Sequence, residues 1–359
     1  MRYAEFLKKD GVIGFVAPSF GCATEPYRSA FDSAKKEFAR RGYILVTGPN
    51  CYESSGIGIS STPQKCGEEL TYMYINSSSD ILISCGGGEL MCETLEYVDF
   101  DKIKNSPPKW YLGYSDNTNF TFLQTILNDT ASIYGVCAGA FGMKPWHKAI
   151  DDTFRLITGK KLRFTGYDKW EKESLKSEEN PCATMNVTEK RITPAFIGSK
   201  RIACEDTDIT FSGRLIGGCM DCLVNILGTK YDKVADFNER YKEDGFIWFL
   251  ESCDLNVFAI RRAMWQMENA GWFKYLKGFV IGRPLVFGQE MMGLDQYEAV
   301  LGIIGKYNVP VIMDADLGHL SPTMPLICGS VATVSIKGNN YSIDTVSYTH
   351  LRAHETCAD

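Results

Sequence analysis

Two α/β domains are what this sequence predicts, the first built on a parallel sheet and the second smaller and mixed. Three observations predict it. Short apolar runs alternate with helix-period segments through the first half, glycine-rich turns fall where those runs end, and a charged, core-poor segment at 168–180 precedes a stretch of different texture. Such alternation implies parallel strands covered by helices, with ligands at the carboxyl ends of the strands. At 359 residues the chain exceeds a usual single domain and has material for two cores.

Val12 to Ala17 is an apolar strand ending at Pro18-Ser19. Tyr27 to Arg41 has a helical period, Tyr43 to Val46 reads as a second strand, and Pro63 to Ile75 as a helix. Asp80 to Ser84 is a strand running into Gly86-Gly87-Gly88, and Glu89 to Tyr97 reads as the following helix. The apolar strand around Trp110 breaks at Gly113 and puts Ser115 on the turn before a helix of Phe120, Leu123 and Ile126. Asp168 to Asn180 reads as an interdomain connection. The expected boundaries are therefore 1–167 for the first domain, 168–194 for the linking segment and 195–345 for the second domain. Beyond the connection, strands are expected at Thr210 to Ile216, Gly245 to Leu250, Gly278 to Gly282 and Val331 to Ile336, with helices at Gly218 to Leu227 and Val257 to Ala270.

A strand-to-helix elbow exposes a hydroxyl at the top of a sheet, where the helix N-terminus can stabilise an oxyanion. Ser115 is thus a candidate nucleophile, and it needs a base. The chain has four histidines: His147, His319, His350 and His354. The last two fall in 346–359, a stretch that resembles a translated sequencing adapter and is expected to be an artefact tail outside the fold. His147, after Lys144-Pro-Trp, reads as a surface turn residue. His319 follows the buried-strand pattern of Val309 to Met313 and sits in a Gly/Pro-punctuated loop, where catalytic side chains are commonly presented. Glu251 ends the apolar strand Phe246-Ile-Trp-Phe-Leu. Serine, histidine and carboxylate together meet the demands of acyl transfer. Taken singly, each has a plainer reading: a helix N-cap, a loop histidine and a solvated strand end. A cleft that binds a peptide or nucleotide without chemistry is therefore a second reading.

Composition narrows the partners. There is no apolar run of 18 residues, which excludes a membrane-spanning helix, and no signal-peptide core near the N-terminus. Thirteen scattered cysteines suit a reducing cytosol. A net charge of −6 without a basic stripe argues against a nucleic acid polymer. Cys219-Met-Asp-Cys222 has no second pair at zinc-site spacing and reads as buried thiols, so no metal is expected. The Gly86-Gly87-Gly88 turn lacks the residues of a phosphate-binding loop, and close backbone approach to an oxyanion explains it better.

Ala17-Pro-Ser19, Cys85-Gly-Gly-Gly88, Gly113-Tyr-Ser-Asp116, Leu215-Ile-Gly-Gly218, Phe249-Leu-Glu251 and Gly318-His319 with Pro322 and Pro325 resemble, in order, the motifs of the LD-carboxypeptidase family of serine peptidases. The match runs from about Val12 to Thr345. That family includes muramoyl-tetrapeptide carboxypeptidases and microcin C self-immunity peptidases. The resemblance implies a flavodoxin-like or class I amidotransferase-like N-terminal domain and a β-rich C-terminal domain. It implies Ser115, Glu251 and His319 as a triad completed across the domain interface, with amides near Gly87 and Asp116 as the oxyanion hole. It further implies substrate contact at Gly86, a cytoplasmic homodimer, no metal or organic cofactor, and a small peptide or aminoacyl-nucleotide substrate. The length and the insert around Trp170 resemble the immunity branch, so that Trp170 is a candidate platform for a nucleobase; packing the linker is its plainer role.

Two departures stand out. Gly88-Glu89 stands where many members of that family have a bulky or polar residue after the glycine pair, which is expected to change the shape of the hole. Gly135-Val-Cys137-Ala-Gly139 fits the cysteine elbow of class I glutamine amidotransferases, which makes Cys137 a rival nucleophile. That class needs a glutamate two residues after its histidine, however, and His319-Leu-Ser321 lacks it.

Overall fold

A computed structural model describes residues 1–346. The adapter-like segment, apart from its first residue, lies outside the described residues, as do His350 and His354. Five parallel strands lie side by side in the order Ile44–Thr47, Val12–Val16, Ile81–Ser84, Trp110–Gly113 and Ser132–Tyr134. In sequence numbering this order is 2-1-3-4-5, the flavodoxin-like arrangement. Ile81–Ser84 and Trp110–Gly113 are buried along their whole length, as strands covered on both faces must be. A sixth strand, Leu326–Cys328, returns from the far end of the chain and pairs antiparallel with Ser132–Tyr134.

The second sheet has nine strands. Its centre is parallel: Asp208–Cys219, Phe246–Glu251, Leu276–Gly282 and Pro310–Ala315. Antiparallel strands extend both sides, and the last is Arg163–Thr165, which pairs with Asn340–Val346. Each sheet therefore borrows an edge strand from the other half of the chain. Between the sheets lies the Thr118–Ile126 helix, every residue of which is buried. Its Phe122 stacks on Trp272, which in turn stacks on Trp248 of the second sheet. A helix walled in on all sides has no need of an amphipathic stripe. This central packing anchors the helix that follows the Ser115 elbow.

Several elements differ from the sequence expectation. The segment expected as one helix over Glu89 to Tyr97 is a single α-turn, Met91–Thr94, followed by a 3₁₀ turn, Leu95–Tyr97. Asp208–Cys219 runs through the Gly217-Gly218 pair, and the helix starts only at Met220. Within the linking segment, Lys169–Trp170 pairs with Glu189–Lys190. His147 is half-buried and caps the Lys148–Ile157 helix, its Nδ1 accepting the Ala149 N–H at 3.2 Å. It is a helix cap, not a free turn residue.

Candidate active site

Ser115 sits at the carboxyl end of Trp110–Gly113 with φ +61°, a left-handed conformation uncommon outside glycine. Such strain persists where the surroundings over-determine it. Here two side chains do so. Asn117 donates to the Gly86 carbonyl at 2.8 Å and accepts from the Tyr111 hydroxyl at 2.5 Å. Asp116, only 3% exposed, accepts from Ser19 Oγ at 2.6 Å, the Met91 N–H at 2.9 Å and Asn119 Nδ2 at 3.0 Å. The Pro18-Ser19 motif, the glycine turn and the elbow are thereby locked at one point.

Glu251 and His319 arrive from the second sheet. Glu251 closes Phe246–Glu251, in register with Cys219 of the neighbouring strand. His319 follows Pro310–Ala315 through Gly318, whose φ is +104°. A Cβ at Gly318 would stand 2.6 Å from Glu251 Oε2, so both conformation and space demand glycine there. His319 Nε2 lies 2.9 Å from Ser115 Oγ, and His319 Nδ1 lies 2.8 Å from Glu251 Oε2. The other carboxylate oxygen of Glu251 accepts from the Tyr134 hydroxyl at 2.5 Å, and that hydroxyl accepts the Ser115 N–H at 3.3 Å. Tyr134 thus links the elbow to the carboxylate behind the histidine.

Electrostatics follow from this arrangement. Burial alone would push the Glu251 carboxyl up, but the His319 charge and hydrogen bonds from His319, Tyr134 and Cys219 outweigh it and hold Glu251 below the usual range. Burial likewise disfavours a charged imidazole, yet Glu251 chiefly overcomes it and raises His319 well above the ordinary histidine range. Gly87 faces the serine: a Cβ there would meet Ser115 Cβ and Oγ at 3.2 Å. Its N–H has no acceptor among the described residues. The Asp116 amide lies in the first turn leading into the Thr118–Ile126 helix, where amides lack intrahelical acceptors.

Ser115 and His319 open into a cavity of about 560 Å³ between the two sheets, floored by Gly86, Gly87 and Gly88. Ser115, Glu251, His319, Gly86, Gly87 and Asp116 are therefore brought together. Trp170 is not. It is 5% exposed, packs edge-on against Phe287 at 5.1 Å, lies under the Arg283 guanidinium at 4.6 Å, and does not line the cavity. Its place is in the packing of the linking segment, which is the plainer of the two roles. Cys137 is also set aside: its thiol is buried outside the cavity lining, accepts from Asn117 Nδ2 at 3.7 Å, and is pushed up to about 12 by burial. A nucleophilic cysteine needs the opposite shift. Cys219 and Cys222 are buried free thiols that line the cavity. Sequence reasoning missed Tyr134 and Asn117; both lie beside quoted motifs, but nothing in their spacing indicates their partners.

Residues 13–135 match the LD-carboxypeptidase N-terminal domain and residues 212–334 the LD-carboxypeptidase C-terminal domain. The chain belongs to the LD-carboxypeptidase family. Among its relatives is a Vibrio cholerae protein carrying the provisional name of carboxypeptidase, 22% identical over 351 residues that cover 96% of this chain and 98% of the relative. The fold is shared with the microcin C7 self-immunity protein, at a TM-score of 0.77 and 21% identity over 97% of this chain and 99% of that one. That protein has been solved with aspartyl sulfamoyl adenosine bound, and as an active-site mutant in which a serine, an asparagine and a lysine are replaced by alanine. A related protein from Bacillus anthracis gives a TM-score of 0.78 at 20% identity, over 96% of this chain and all of the other.

Proposed function

We propose that this chain is a serine hydrolase that cuts an amide bond in a small peptide-like or aminoacyl-nucleotide substrate, with Ser115 as nucleophile. The observation that carries this reading is the unbroken chain Ser115 Oγ, His319, Glu251, with separations of 2.9 and 2.8 Å at the mouth of an open cavity. His319 takes the Ser115 proton as Oγ attacks the scissile carbonyl, and Glu251 stabilises the imidazolium. The oxyanion forms toward the Gly87 and Asp116 amides. His319 then returns the proton to the leaving amine, and water repeats the sequence on the acyl-enzyme, releasing the acid and freeing Ser115.

The likeness to an immunity protein solved with an aminoacyl sulfamoyl adenosine supports the aminoacyl-nucleotide substrate, and the family supports the peptide substrate of cell-wall recycling. A reducing cytosol suits the twelve free cysteines among the described residues, and no described helix is long and apolar enough to cross a membrane. A homodimer is expected on the family resemblance, and sedimentation of the purified protein tests it.

The decisive experiment incubates wild type and Ser115→Ala separately with a murein tetrapeptide and with aminoacyl sulfamoyl adenosines, and reads the products by mass spectrometry. Serine-dependent cleavage of at least one is expected, with a loss of about 10³-fold or more in Ser115→Ala. Equal turnover by both forms, or turnover by neither, overturns the proposal.

A further inference from the structure

The cavity above Ser115 carries an unbalanced charge. Besides Asp116, whose oxygens are taken up by Ser19, Met91 and Asn119, the four carboxylates Glu53, Glu89, Asp221 and Asp254 line it, and no lysine or arginine does. The nearby Lys176 instead stands over the Tyr27 ring at 5.0 Å, outside the lining. None of the four carboxylates enters an ion pair among the described residues.

Three of them converge on the triad from separate segments. Glu89 follows the glycine turn, Asp221 stands in the first turn of Met220–Ile226, and Asp254 comes three residues after Glu251. They are close enough to feel one another: after burial, Asp254 and Asp221 push the Glu89 carboxyl up, while His319 pulls it down. Asp221 is also held in place, accepting the Asp254 N–H at 2.8 Å on one oxygen and the Cys253 N–H at 3.0 Å on the other. Carboxylates gathered on one wall of a cavity repel each other and focus a negative field into the space above the serine. Among the lining side chains only His319 can carry a positive charge, and Glu251, 2.8 Å behind it, balances that charge.

We propose that the substrate of this chain presents a cationic group, an ammonium or guanidinium, to Glu89, Asp221 and Asp254 while its scissile carbonyl lies at Ser115. The proposal rests on the hydrolase reading and specifies its substrate class: amides or aminoacyl conjugates with a basic side chain or an additional free amine. Acidic counterparts are rejected by the same field. Because opposite charges at a partly open wall are screened by salt, the preference must shrink as ionic strength rises.

The test uses lysyl, norleucyl and glutamyl sulfamoyl adenosine, a series that differs in side-chain charge. Binding to full-length Ser115→Ala is measured by calorimetry at low and high salt, and turnover by wild type is followed in parallel. The lysyl member is expected to bind about tenfold tighter than the norleucyl member and the glutamyl member still more weakly. Glu89→Gln with Asp254→Asn is expected to remove most of that preference, read as the ratio of lysyl to norleucyl affinity within each form. Equal or tighter binding of the glutamyl member overturns the proposal, as does a preference untouched by the two substitutions or an absence of binding by the whole series. A lysyl preference in binding without turnover of any member supports the cationic pocket and counts against the hydrolase reading alone.

Discussion

At the scale of single residues, the candidate site is governed by how two buried groups share a proton. Glu251 is held below the usual carboxylate range and His319 is raised well above its ordinary one, so the pair favours the charged imidazole more than a free histidine would. A general base must be neutral, so kcat/KM is expected to climb with pH through the raised value. Glu251→Gln removes the chief cause of that rise and leaves burial, which acts in the opposite direction. The rising limb should then move to lower pH while the plateau falls by about 10²-fold to 10⁴-fold, as expected when an imidazole loses its orienting carboxylate. A pH–rate profile of both forms checks this, and an unmoved limb would show that His319 is not the titrating base. Much at this scale was legible from residue chemistry, since only one histidine outside the suspect tail sits in a loop after a buried strand. The Tyr134 bridge was not, because a tyrosine in a strand reads as core until its hydroxyl partner is known.

At the scale of elements, the alternation of strand and helix in the first half was legible, and its flavodoxin-like order was implied by the family resemblance and not by the alternation itself. Boundaries failed where tertiary context overrode local pattern. Gly217 and Gly218 look like helix-start punctuation, yet they continue a strand whose partner Phe249–Glu251 fixes the register. The segment 89–97 has helical period, but it must also return the chain from the glycine turn, and it forms only short turns. Trp170 shows the same limit. Its place in an insert that resembles the immunity branch suggested a ligand platform, whereas Phe287 and Arg283 cover it. Trp170→Ala is therefore expected to cost about 3 kcal/mol of stability by opening a cavity, with turnover per folded molecule unchanged. Denaturant unfolding and steady-state kinetics on the same preparation check it. A selective loss of nucleotide affinity at unaltered stability would return Trp170 to the binding site.

At the scale of the whole molecule, the site exists because two sheets are fixed against each other. Ser115 tops one and Glu251 and His319 extend from the other, with the wholly buried Thr118–Ile126 helix between them and an edge strand exchanged in each direction. Proximity of residues 204 positions apart cannot be read from composition or periodicity. It was suggested by the order of six motifs and it depends on long-range packing. The most direct test of the central claim, that Ser115 is a nucleophile activated by His319 across this interface, is peptide mapping after reaction with a serine-directed phosphonate. The wild type should carry the adduct on Ser115 alone, and His319→Ala should form it at least about 10²-fold more slowly. An adduct on another residue, no adduct at all, or an unchanged rate without His319 would contradict the account.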